Sequence, residues 1–118
     1  MNNHGKINYI ELPAKDFSST KNFYSNVFAW EFEDYGPDYM AFSNAGIDGG
    51  FFRSEQNSAT VNGAALIVFY SIEIEATLEK IKIAGGKVVQ NIFSFPSGRR
   101  FHFTDPNGNE LAVWSDID

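Results

Sequence analysis

Hydrophobic and polar positions change period along this chain, and each change marks an element. Residues 7–12, INYIEL, alternate, so that Ile10 and Leu12 share one face of a predicted strand and Tyr9 and Glu11 the other. From Asp16, a residue suited to capping a helix, the period lengthens. Thr20, Phe23, Tyr24, Val27 and Phe28 then recur at helical spacing. Three strands follow over 30–35, 39–43 and 50–53, set apart by the turn residues Gly36-Pro37-Asp38 and by a turn over 44–49. Residues 54–63, SEQNSATVNG, are small and polar and read as the one linker. The pattern then restarts. A strand spans 64–70, and Glu73 stands where Asp16 stood. Ile74, Thr77, Leu78, Ile81 and Ala84 trace a helix that Gly85-Gly86 ends as a left-handed cap. Strands over 87–93 and 99–104, the turn DPNGN at 105–109 and a last strand from Glu110 complete the chain.

The order strand, helix, three strands therefore occurs twice. An offset of 57 residues carries Asp16 onto Glu73, Thr20 onto Thr77, Val27 onto Ala84 and Phe32 onto Val89. The repeat lies in element order rather than in letters. This predicts a single α+β domain over 1–118, with one βαβββ module at about 6–54 and a second at about 63–116. The two modules join into a curved, mostly antiparallel eight-stranded sheet, helices on the convex side and a cleft on the concave side.

Composition narrows the chemistry. No cysteine is present, which removes disulfides, thiolate metal sites and cysteine nucleophiles. Nine Lys and Arg against fifteen Asp and Glu leave a net charge of −6, which speaks against nucleic acid. No apolar run reaches the length of a membrane span, and the start MNNHGK lacks the apolar middle of a signal peptide. A cytoplasmic location and a small-molecule ligand are the expectations. Aromatic residues make up 16% of the chain, more than a minimal core needs, and the surplus suits a pocket or an interface.

Four stretches, IELPAKD, KNFYSNVFAWEFE, IEATLEKIKIAGGKVV and FTDPNGNELAVW, resemble in this order the vicinal oxygen chelate superfamily of glyoxalase I, fosfomycin- and bleomycin-resistance proteins and extradiol dioxygenases. The resemblance implies paired βαβββ modules, a concave active-site cleft and a homodimer. It also implies, in many members, one divalent metal held by His, Glu or Gln on the first and last strands of the modules. At those places this chain has Tyr9, Leu66 and Ala112, and the fourth falls in or near GGFFR at 49–53. None offers the expected imidazole or carboxylate, and Glu55 is the nearest acid to the fourth. The expectation is a member without the usual metal and without a cofactor.

Alternation places Glu11 beside Tyr9, Val68 and Tyr70 beside Leu66, and Glu110 and Trp114 beside Ala112. It turns Arg100, His102 and Thr104 toward the cleft, because Phe101 and Phe103 face the core. His102 has two readings, a strand histidine held by a neighbouring carboxylate or a ligand contact. Tyr9, Tyr70 and Trp114 are either filler for an erased metal site or a platform for a flat ligand, with the small Ala112 leaving room beside Trp114. His102, Glu11 and Glu110 are the candidate acid–base groups. As acid–base groups or as an atypical metal site, they serve a lyase, isomerase or dioxygenase-like alternative to a metal-independent binding or sequestering role of the bleomycin-resistance kind.

Overall fold

The computed structural model describes residues 2–118. Its order is β1 (Tyr9–Ala14), α1 (Phe17–Phe28), β2 (Glu31–Asp34), β3 (Tyr39–Ser43), β4 (Asp48–Arg53), a 3-10 turn (Thr60–Asn62), β5 (Ile67–Tyr70), α2 (Ile74–Ile83), β6 (Lys87–Phe95), β7 (Gly98–Thr104) and β8 (Glu110–Ser115). The doubled βαβββ pattern is present as predicted. Asp16 caps α1, its carboxylate accepting from the Ser19 backbone N–H at 3.2 Å. Gly85, with φ +102°, follows α2 in the left-handed conformation.

Local chemistry shifts some boundaries. Glu73 does not cap α2 with its side chain. Ser71 Oγ takes the Glu73 N–H at 3.0 Å instead, and meets Thr77 Oγ1 at 2.8 Å. β5 begins at Ile67, after the 3-10 turn at Thr60–Asn62 and a loop in which the Ala64 N–H donates back to the Ala59 carbonyl. Leu66 therefore lies just outside the ladder. Trp30 is no strand residue. It follows Ala29, which turns left-handed at φ +60°, and its ring is buried in the core.

The eight strands form two four-stranded mixed sheets, ordered β1-β4-β3-β2 and β5-β8-β7-β6. In each sheet the first and last strands of the module pair in parallel and the other neighbours antiparallel. β1 and β5 are the inner edges and share no ladder. One core nevertheless spans both modules, because α1 packs across them. Tyr24 stacks on Trp30 at 4.4 Å and reaches Phe51 of the first sheet. Phe28 stacks on Phe69 at 3.9 Å, and Phe23 lies 6.0 Å from Phe103, both in the second sheet. Full burial of such rings is worth about 1.5–3 kcal/mol each.

The DPNGN turn completes this union. Asp105 accepts from the backbone N–H groups of Asn107 (2.8 Å) and Asn109 (3.0 Å), from Tyr24 Oη (2.7 Å) and from Asn109 Nδ2 (3.1 Å). Asn107 accepts the Lys15 N–H and donates to Thr20 Oγ1, each over about 3 Å. Asn109 donates to the Pro13 carbonyl and accepts the Ser58 N–H, both at 2.8 Å. The final hairpin of the second module is thereby tied to β1, to α1 and to the linker. Burial pushes the Asp105 carboxyl above its usual range despite the donors around it.

Candidate functional site

On the face of each sheet opposite the core, register aligns side chains into transverse rows. In the second sheet, Tyr70, Trp114, Arg100 and Phe93 form one row, and Val68, Ala112, His102 and Gln90 the next. Trp114 is half-buried, with Tyr70 edge-on at 5.3 Å and Phe95 at 6.4 Å. Tyr70 is 51% exposed and donates to Asp116 at 2.6 Å. Arg100 lies over the rings of Phe93 and Phe95, at 5.4 and 5.9 Å. Ala112 has no exposed surface, so the open space expected beside Trp114 does not lie over this residue.

His102 and Glu110 meet. The imidazole Nδ1 is 2.9 Å from Glu110 Oε2, while Glu110 Oε1 accepts from both the hydroxyl (2.6 Å) and the backbone N–H (2.9 Å) of Thr60. These bonds, those from Thr60 foremost, hold the Glu110 carboxyl down at about 2. The carboxylate can only accept, so Nδ1 carries a proton, and in the neutral imidazole His102 Nε2 is the nitrogen with the lone pair.

Glu11 goes elsewhere. Tyr39 donates to its carboxylate at 2.9 Å, and Tyr9 in turn donates to Tyr39 Oη. The Tyr39 phenol is consequently pushed well above its ordinary value, by burial first and then by these two bonds. No hydrogen bond joins Glu11 to His102, so of the three candidate acid–base groups the fold brings together two.

Register also locates the fourth metal position. The 57-residue offset maps Glu11 onto Val68. Val68 pairs with Ala112 and Glu11 pairs with Gly50, so Gly50 is the counterpart of Ala112. A Cβ on Gly50 would lie 2.1 Å from Tyr39 Oη. The phenol thus occupies the space where a side chain at this position would extend. Tyr9, Gly50, Leu66 and Ala112 do not fit a divalent ion, and Glu55 is exposed in the linker. Among the described residues no group of three or more His, Cys, Asp or Glu side chains is arranged to hold a metal.

A model of the Glyoxalase/Bleomycin resistance protein/Dioxygenase superfamily matches residues 6–113. The chain belongs to this superfamily. A "Putative glyoxylase CFP32" from Mycobacterium bovis is 25% identical over 93% of this chain, which spans 45% of that longer protein, a little under half its length. A "Glyoxylase-like domain-containing protein" from Didymella fabae is 28% identical, with 93% of this chain and 94% of the other covered. The fosfomycin resistance protein FosX from Listeria monocytogenes superposes with a TM-score of 0.78 at 21% identity, over 94% of this chain and 93% of its own, and so shares the fold. None of the residues at the positions where the resemblance implies metal ligands carries an imidazole or a carboxylate.

Residues that the sequence pattern did not single out are Tyr39, Thr60 and Phe93, and Gly50 was placed only within the stretch GGFFR. The paired glycines 49 and 50 inside a strand were the available signal, since such glycines mark close approach. Nothing in the polar linker pointed to Thr60. A further cavity of about 640 Å³, lined by Tyr9, Tyr35, Tyr39, Glu31, Glu33 and Asp48, lies on the first sheet. Among the described residues no helix is long and apolar enough to cross a membrane.

Proposed function

We propose that the protein binds a small, partly aromatic molecule without a metal, against the Trp114 row of the second sheet. The observation that carries this reading is the Tyr9–Tyr39–Glu11 chain closed over Gly50, with Leu66 and Ala112 at the other two positions: apolar and phenolic groups stand where the superfamily's metal binding needs imidazoles and carboxylates. Half-buried Trp114, with exposed Tyr70 edge-on beside it, supplies an aromatic wall. Fluorescence tests it, because Trp30 is buried at 5% exposure and gives a constant background. A panel of neutral aromatic compounds should include members that quench or shift Trp114 emission. Trp114→Ala should weaken binding of those members, measured by calorimetry, by more than about tenfold, since stacking and buried area are both lost. Elemental analysis should find no stoichiometric metal, and a chelator should leave the melting temperature unchanged. A tightly held equivalent of metal, or no aromatic ligand at all, refutes the reading.

A second reading, a lyase or isomerase of the superfamily, draws on the His102–Glu110–Thr60 chain, because an imidazole oriented by an ionised carboxylate is a general base. Solvent deuterium entering an added carbonyl compound with wild type, and not with His102→Phe, distinguishes it. We also propose that two copies pair. β6, an outer edge nine residues long, carries Val89 exposed at 54%.

A further inference from the structure

Two polar atoms on the cleft face of β7 have no partner. Arg100 Nε and His102 Nε2 are both buried, and neither makes a hydrogen bond. For the Arg100 side chain no ion pair and no hydrogen bond occurs among the described residues, although the chain carries a net charge of −6. Arg99 next to it shares the orphaned Nε, but its other nitrogens engage Glu75 and the Ile117 carbonyl. Arg100 lies instead over the rings of Phe93 and Phe95. A half-buried guanidinium kept on aromatic faces, away from carboxylates, retains its fork of donors for an anion that comes from outside.

His102 supplies the complement. Its side chain is only 9% exposed, and its Nδ1 is committed to Glu110. The remaining nitrogen is buried without a partner, and in the neutral imidazole it is an acceptor that needs a donor; a buried group left short is costly. Residues two apart on a strand stand roughly 7 Å from each other. Phe93 touches both, with its ring 6.2 Å from the imidazole and 5.4 Å from the guanidinium. It sits where β6 loses register between Gln90 and Phe93, an irregularity that re-aims side chains beside sites.

We propose that Arg100 and His102 form a two-point subsite for a small organic acid bearing a hydroxyl group: the carboxylate on Arg100, the hydroxyl donating to His102 Nε2, and a flat body between them against Phe93 and Trp114. This specifies the ligand class of the binding reading above and rests on it. The probe is 4-hydroxybenzoate, which carries an acid and a hydroxyl at opposite ends of a flat ring. Its controls are benzoate, which lacks the donor, and 4-hydroxybenzamide, which lacks the charge. Calorimetry on the full chain should show 4-hydroxybenzoate binding roughly tenfold or more tightly than either control. Arg100→Gln should bring the acid down to the affinity of the amide. His102→Phe should bring 4-hydroxybenzoate down to the affinity of benzoate. Melting curves establish that both variants fold, and the comparison of the three compounds on wild type holds whether or not they do. Equal affinity for acid and amide, or no heat from 4-hydroxybenzoate while neutral aromatics still shift Trp114 emission, overturns the subsite and leaves the binding reading standing. Silence from every compound overturns both.

Discussion

Asn109 is a single side chain on which both modules depend. It is fully buried, donates from Nδ2 to the Pro13 carbonyl and to Asp105, and accepts the Ser58 N–H. Asn109→Ala removes all three bonds. Asp105 keeps three other donors, so the cost falls on the Pro13 carbonyl and the Ser58 N–H, each left short at about 1–3 kcal/mol. The expected loss is about 3–5 kcal/mol, which for a chain of this size lowers the melting temperature by about 12–20 °C. Far-ultraviolet circular dichroism during heating and urea unfolding measures it. Asn109→Asp adds a sign. It keeps the acceptor for Ser58 but sets a second carboxylate against Asp105, whose carboxyl burial already raises. The pair's folded pKa then rises above the unfolded value near 4. Such a group favours the fold below its unfolded pKa and loses that contribution as pH climbs through its folded one. Asn109→Asp should therefore be unstable at neutral pH and recover toward wild type as the medium is acidified. A loss below about 1 kcal/mol for Asn109→Ala, or a pH-independent deficit for Asn109→Asp, refutes the reasoning.

Gly50→Ala should push the Tyr39 phenol off Glu11 and Tyr9, so an ultraviolet titration should gain one tyrosine ionising nearer the ordinary value of about 10. An unchanged titration would mean that the ring does not rest on Gly50. Glu110 contributes in the opposite sense to Asp105. Its folded pKa of about 2 lies below the ordinary glutamate value of 4.5, so its contribution is present above that value and is lost as pH falls toward 2. The stability gap between wild type and Glu110→Gln should accordingly narrow over that window, and a constant gap would contradict it. Light scattering at micromolar concentration should give twice the 13.2 kDa chain mass, and the monomer mass would remove the proposed pairing.

The order of elements was legible because period is a local property. The shift from alternation at residues 7–12 to helical spacing at Thr20–Phe28, and its repetition, needs no knowledge of what touches what. Partnerships are a different matter. DPNGN reads as a turn, which it is, but nothing near it in sequence names Tyr24, 81 residues away, as the partner of Asp105. The pairing of His102 with a carboxylate was one of two readings, and the choice of Glu110 over Glu11 depends on the antiparallel register of β7 and β8. Ala112 is a position that sequence alone shows to lack a metal-binding group. The room inferred beside it was not legible, since packing above a strand face depends on long side chains from other rows. Gly50 shows the reverse: a residue without a side chain defines its position through the ring that lies on it.

The helix that spans both sheets also sets a timetable. A chain made from its N-terminus finishes α1 early, yet Phe28 waits for Phe69, Phe23 for Phe103 and Tyr24 for Asp105. At roughly 5–20 residues per second, the stretch from Phe28 to Asp105 takes about 4–15 s to synthesise. Through that interval the first module carries a row of bare aromatic rings and cannot close. The last hairpin is thus the step that commits the whole chain. Until it arrives, the rings of α1 that the second module covers stay bare, an aggregation-prone surface of the kind that chaperones shield.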